Sequence, residues 1–188
     1  MARKKEFIIE DALEAAISVF REHGYAGTST QMLVKAMNIG KQSLYDTFGD
    51  KWELYCTALT VFSNQSVSAH IDAVKSASGV VAGIECMLDR VIVNPDNSCL
   101  GISSICEFGV SKAEILQIRK KAMSRLNNFI RETISSGIAS SEIPPNIDPD
   151  EATYFIISSI ASIKLAGRSG SDVSILNHIK AMTLRVIR

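Results

Sequence analysis

Residues 29–49 read Ser29-Thr30-Gln31-Met32-Leu33-Val34-Lys35-Ala36-Met37-Asn38-Ile39-Gly40-Lys41-Gln42-Ser43-Leu44-Tyr45-Asp46-Thr47-Phe48-Gly49. Ser29 or Thr30 can accept from the free N–H groups that open a helix. Met32, Leu33 and Ala36 then mark its inward face. Asn38-Ile39-Gly40 predicts a tight turn, because Asn and Gly both tolerate positive φ. A second short helix runs from about Lys41 to Phe48, anchored inward by Leu44 and Phe48, and Gly49 ends it. Two short helices joined by a three-residue turn have helix-turn-helix geometry.

The flanks support that unit. From Glu6 to His23, the residues Ile8, Ala12, Ala15, Ala16, Val19 and Phe20 form one apolar stripe, and Gly24 is a natural end. Asp50 with Glu53 has capping-box spacing at the start of a long fourth helix. That helix carries Trp52, Leu54 or Tyr55, Leu59, Phe62 and Val67 as apolar contacts. Helical period continues through about Val74–Val93, Cys99–Val110 and a long helix opened by Ser111 and Glu114. Asp148-Pro149 opens another to about Ala166, and the last helix starts at Ser171 or Asp172. The expectation is an all-α chain of about nine helices.

Composition narrows the function. The 188 residues carry 20 Lys+Arg and 20 Asp+Glu, with 46% hydrophobic and 21% charged residues. Such a chain can bury a sizeable core and is not a polycationic nucleic-acid coat. Four prolines and eleven glycines exclude a collagen-like or low-complexity chain. Neither a secretory apolar region nor a bilayer-length apolar window is present, so no membrane association is expected and the expected location is the cytoplasm. Cys56, Cys86, Cys99 and Cys106 show no CxxC spacing, and His23, His70 and His178 stand singly. There is no GxSxG, HExxH or phosphate loop, so no catalytic residue, metal site or cofactor is expected.

The run Phe20…Gly24-Tyr25-Ala26-Gly27-Thr28-Ser29-Thr30, continuing through Ile39-Gly40-Lys41 to Phe48-Gly49-Asp50-Lys51…Leu54-Tyr55, closely resembles the TetR family of one-component bacterial transcription regulators. The resemblance covers roughly residues 6–60. It departs at Asn38, where the family often has Gly, and at Gln31-Met32, where an acid commonly follows the Thr. The family's build implies a helix-turn-helix DNA-binding domain over residues 1–50, with its motif at about 29–48. It implies an effector-binding and dimerisation domain over 51–188.

The resemblance also implies roles. Lys41, Gln42, Ser43, Tyr45 and Thr47 would lie on the recognition helix, reading base edges and phosphates. Thr30 and Gln31 would meet phosphates at a helix start. Lys51 would reach the DNA backbone, and Arg3, Lys4 and Lys5 form a basic arm suited to the minor groove. Through Lys51 the chain has seven bases (Arg3, Lys4, Lys5, Arg21, Lys35, Lys41, Lys51) and seven acids (Glu6, Glu10, Asp11, Glu14, Glu22, Asp46, Asp50). DNA binding must therefore rest on placement, and a lone copy should bind weakly.

A homodimer on a palindromic double-stranded operator follows from the family. Its expected interface is Phe155, Ser159, Ile160 and Ile163 with Ile175, Ile179 and Met182. The expected pocket for a small, largely apolar effector has Phe62, Met87, Leu88, Ile102, Ile118 and Phe129 as apolar lining. Its polar candidates include His70, Ser103, Cys106 and Glu107. The leading function is a repressor released by that effector. The alternative is a redox sensor using a cysteine thiol, although Cys99 and Cys106 within one helix would stand ~10.5 Å apart along the axis, too far for a disulfide.

Overall fold

The computed structural model describes residues 7–93 and 99–188, so the Arg3-Lys4-Lys5 arm and the turn at Asn94–Ser98 lie outside the described residues. Nine helices and no strand occur among the described residues. They are α1 (Ile9–His23), α2 (Thr30–Met37), α3 (Lys41–Phe48), α4 (Lys51–Lys75), α5 (Val80–Val93), α6 (Leu100–Phe108), α7 (Ala113–Ala139), α8 (Pro149–Arg168) and α9 (Val173–Arg185).

The chain divides into two compact units. One is Met1–Asn64 with Ser98–Arg119, and the other Gln65–Asn97 with Lys120–Arg188. The unit that holds the helix-turn-helix thus takes in more chain than residues 1–50. Its core includes Ala16, Ile17, Phe20, Leu33, Leu44, Leu54, Tyr55, Leu59, Leu100 and Ile115. Along α1 the buried face is Ala12, Leu13, Ala16, Ile17 and Phe20, while Ile8 is exposed. Along α2, Leu33 and Met37 are buried and Ala36 is exposed, so the inward face is rotated from the one expected.

Local chemistry sets several helix ends. The Ser29 hydroxyl accepts from the Met32 N–H at 3.2 Å. Asn38 takes the left-handed conformation at φ 53°, whereas Gly40 is extended at φ −71°. The α2–α3 turn therefore needs a positive φ at Asn38 only. Asp50 and Glu53 form the reciprocal box: Asp50 Oδ1 accepts from Trp52 and Glu53, and Glu53 Oε2 accepts from the Asp50 N–H. Asp148 accepts from Asp150 and Glu151, with Pro149 at the first helical position.

Two expected boundaries are corrected. Ser111 does not cap α7; its hydroxyl donates to the Phe108 carbonyl at 2.6 Å, and α7 begins at Ala113. Val74 belongs to α4, and α5 begins only at Val80. Gly79, at φ 127°, makes that break. The Glu142 carboxylate then accepts from the Val80 and Val81 N–H groups at 2.7 and 2.8 Å. This cap comes from about sixty residues away in sequence. The second unit's core joins Met87, Leu88, Ile130, Ile134, Ile156, Ile163, Leu176 and Ile187.

Candidate nucleic-acid interface

Leu44 is fully buried, and this anchors α3 on the first unit's core. Anchoring one side of a helix exposes the other. Lys41, Gln42, Tyr45, Asp46 and Thr47 are all exposed, and Ser43 is half-buried. The Lys41 ammonium lies 5.9 Å from the centroid of the Tyr45 ring. The Gln42 Nε2 donates to Asp46 Oδ1 at 2.8 Å. At the start of α2, Thr30 is half-buried and Gln31 exposed. This face presents amide, hydroxyl, phenol and ammonium groups together, the set that hydrogen-bonds base edges and phosphates.

Lys51 is placed differently from the sequence expectation. Its ammonium donates to the carbonyls of Tyr25 and Thr28 at 2.9 and 2.7 Å, and lies 4.2 Å from the Tyr25 ring centroid. Two of its three donors thus brace the segment between α1 and α2, leaving one for any other partner. Its place in the first turn of α4, unfavourable for the helix dipole, is explained by these carbonyls without a phosphate.

The same segment is gripped from α6. The Glu107 carboxylate accepts from the N–H groups of Tyr25 at 2.9 Å and Ala26 at 3.0 Å. Gly24 stands at φ 67°, where an added Cβ would come within 2.8 Å of Glu107. Glu107 is thus a clamp on the α1–α2 segment, a role the sequence does not signal. Around it, Tyr25 packs edge-on against Trp52 and Tyr55, with Phe108 close by. The Tyr55 side chain is fully buried, and its hydroxyl has no hydrogen-bond partner among the described residues. Burial foremost, then the Glu107 charge, pushes its ionisation well above the ordinary tyrosine range.

The expected effector residues fall in both units. In the first, Phe62 and Ile118 are partly buried against the core and Ile102 is half-buried. Ser103 is buried and Cys106 exposed. In the second, Met87 and Leu88 are fully buried core residues. His70 is also buried, its Nδ1 3.5 Å from an Arg90 guanidinium nitrogen. Burial first, then the charges of Lys164 and Arg90, lower His70 to about 3. Phe129 lines an open groove of about 410 Å³ with Val74, Lys75, Val80, Glu132 and Thr133; the other nine expected residues do not line it.

The expected dimer residues also divide. Ser159, Ile160 and Ile163 are buried within the second unit, the two isoleucines in its core. Phe155, Ile175 and Met182 are exposed, and Ile179 is partly buried. The outward face of α8 is Tyr154, Phe155, Ser158, Ala161, Ser162 and Leu165. No helix among the described residues is long and apolar enough to cross a membrane.

Comparison with known proteins agrees with this arrangement. Residues 12–56 match the family model described as bacterial regulatory proteins, tetR family. The chain is 39% identical over 87 residues to the HTH-type transcriptional regulator YezE of Bacillus subtilis, spanning 45% of this chain and 45% of that protein. It is 24% identical to the HTH-type transcriptional repressor ComR of Escherichia coli, across 98% of this chain and 90% of that one. The fold superposes with a TM-score of 0.85 on a cysteine mutant of the TetR family transcriptional regulator CifR complexed with 26bp double-strand operator DNA. That likeness covers 100% of both chains at 22% identity. The segment that holds the helix-turn-helix thus matches the tetR family of bacterial regulatory proteins, and the fold of the whole chain is that of a TetR family transcriptional regulator.

Proposed function

We propose that two copies of this chain bind a palindromic operator and repress transcription, and that a small, largely apolar effector releases them. The observation that carries the reading is the α3 face, where Lys41, Gln42, Tyr45 and Thr47 stand exposed above a fully buried Leu44. Tyr45 and Thr30 contact phosphates in this reading, and Gln42 reads bases. The repressor assignment is supported by the likeness to ComR, and operator binding by the likeness to CifR.

Dimerisation is supported by the exposed apolar side chains Phe155 and Leu165 on α8 and Ile175 and Met182 on α9. Small neighbours at Ser158, Ala161 and Ser162 would let a second α8 approach closely. A dimer supplies two recognition helices, which a net-neutral reading head needs for tight binding. The effector would act by favouring a spacing of those helices that does not fit the operator.

The thiol alternative draws no support from Cys56. Burial, followed by the charges of Glu114, Asp50 and Glu53, pushes that thiol up and disfavours the reactive thiolate.

Electrophoretic shift with DNA from upstream of the gene tests the reading, beside light scattering of the free protein. A dimer that shifts a palindromic fragment and is released by an apolar compound is the expected result. A monomer at micromolar concentration, or no shift with any upstream fragment, would refute it.

A further inference from the structure

An acid in the middle of a face that approaches DNA needs a reason. Asp46 is exposed on α3, one turn beyond Gln42, and adds negative charge where phosphates repel it. Its Oδ1 accepts from Gln42 Nε2 at 2.8 Å. A carboxylate accepts and cannot donate, so it turns the Gln42 amide with its nitrogen toward Asp46. One N–H of that amide is then committed, and the second N–H and Oε1 remain. That remaining pair matches the N7 acceptor and N6 donor of adenine in the major groove. The other lone pairs of Asp46 accept only. They suit the amino groups of cytosine or adenine, and meet repulsion at guanine O6 and N7 and at thymine O4. Residues four apart stand about 6 Å apart along a helix, so the two side chains reach neighbouring base pairs, not the same one.

We infer that Asp46 is the specificity-determining residue of α3: it orients the Gln42 amide for adenine and selects an amino-bearing base, cytosine or adenine, beside it. The inference rests on the operator-binding reading. The carboxylate weakens binding to DNA in general and widens the gap between right and wrong sequence.

The test is binding-site selection from random duplexes with the full chain as wild type, Gln42→Ala, Asp46→Asn and Asp46→Ala, each first checked for an unchanged melting temperature. Gln42→Ala locates the base position that residue reads. Asp46→Asn keeps the side-chain size and can still meet Gln42, but adds a donor. It should retain adenine at the Gln42 position, admit guanine or thymine beside it, and bind random duplexes more tightly. Discrimination at that neighbouring position should fall roughly 5- to 150-fold. Asp46→Ala should relax both positions. Wild-type base preferences in both Asp46 variants would overturn the assignment while leaving operator binding intact. A wild-type selection that enriches no sequence would instead overturn operator binding, and the assignment with it.

Discussion

The carboxylate of Glu107 holds the backbone N–H of Tyr25 at 2.9 Å across a separation of 82 residues, and takes the Ala26 N–H with its other oxygen. One side chain at the end of α6 thus fixes the segment on which α2 and α3 are mounted. Glu107→Ala should speed hydrogen exchange at the Tyr25 and Ala26 amides at least about tenfold, since an opening needs only ~1.4 kcal/mol less for that change. Exchange by NMR, compared with amides of α8, checks it. Equal protection in wild type and variant would show that the clamp contributes nothing.

Lys51 braces the same segment from the other side. Lys51→Ala leaves the Tyr25 and Thr28 carbonyls without this donor and should cost about 1–3 kcal/mol of stability. If Lys51 acted mainly on phosphate, the variant would keep its stability and reduce the salt slope of DNA binding by about one. Urea unfolding and salt titration together separate the two. Tyr45→Phe should instead weaken binding to all sequences alike, with unchanged unfolding.

Tyr55 offers the opposite sign. Its buried hydroxyl lacks a partner among the described residues, so Tyr55→Phe removes a desolvated polar group while keeping the ring against Phe20 and Tyr25. The variant should be more stable than wild type, by up to about 1–3 kcal/mol. Denaturant melts decide it; a clear loss of stability would mean the hydroxyl is satisfied.

His70 makes stability depend on pH. Its folded pKa, about 3, lies below the ordinary 6.5, so the unfolded chain binds the extra proton first. The contribution is full above about pH 6.5 and is lost as pH falls toward 3, at roughly 1.4 kcal/mol per pH unit. His70→Leu should flatten the wild-type decline in urea stability between pH 6 and 4. Parallel curves for the two proteins would contradict the buried neutral imidazole.

Much of this was legible because the signals are local. Ser29, Asp50 and Asp148 cap helices a few residues away, and Asn38 makes its own turn. The Gln42–Asp46 bond also lies at readable helical spacing. What escaped reading depends on tertiary contact. Glu142 capping α5, Glu107 holding Tyr25 and Lys51 binding two carbonyls join residues far apart in sequence. Periodicity places Ile160 and Ile163 on an apolar helix but cannot say whether their own core or a second copy covers them.

The outward face of α8 separates those cases. Ala161 is exposed, so Ala161→Arg should leave the monomer folded and split the dimer, through the cost of an unpaired charge in an apolar seam. Light scattering at micromolar concentration, with circular dichroism to confirm the fold, checks this. An Ala161→Arg dimer would move the interface elsewhere.

Footprinting of the wild-type protein on the duplexes it selects tests the central claim most directly. The predicted result is protection of two inverted half-sites whose centres lie about 10–10.5 base pairs apart, or a multiple of that, matching two α3 helices on one face of the DNA. Protection without inverted symmetry, or none at saturating protein, would contradict the account of α3 as a paired reading head.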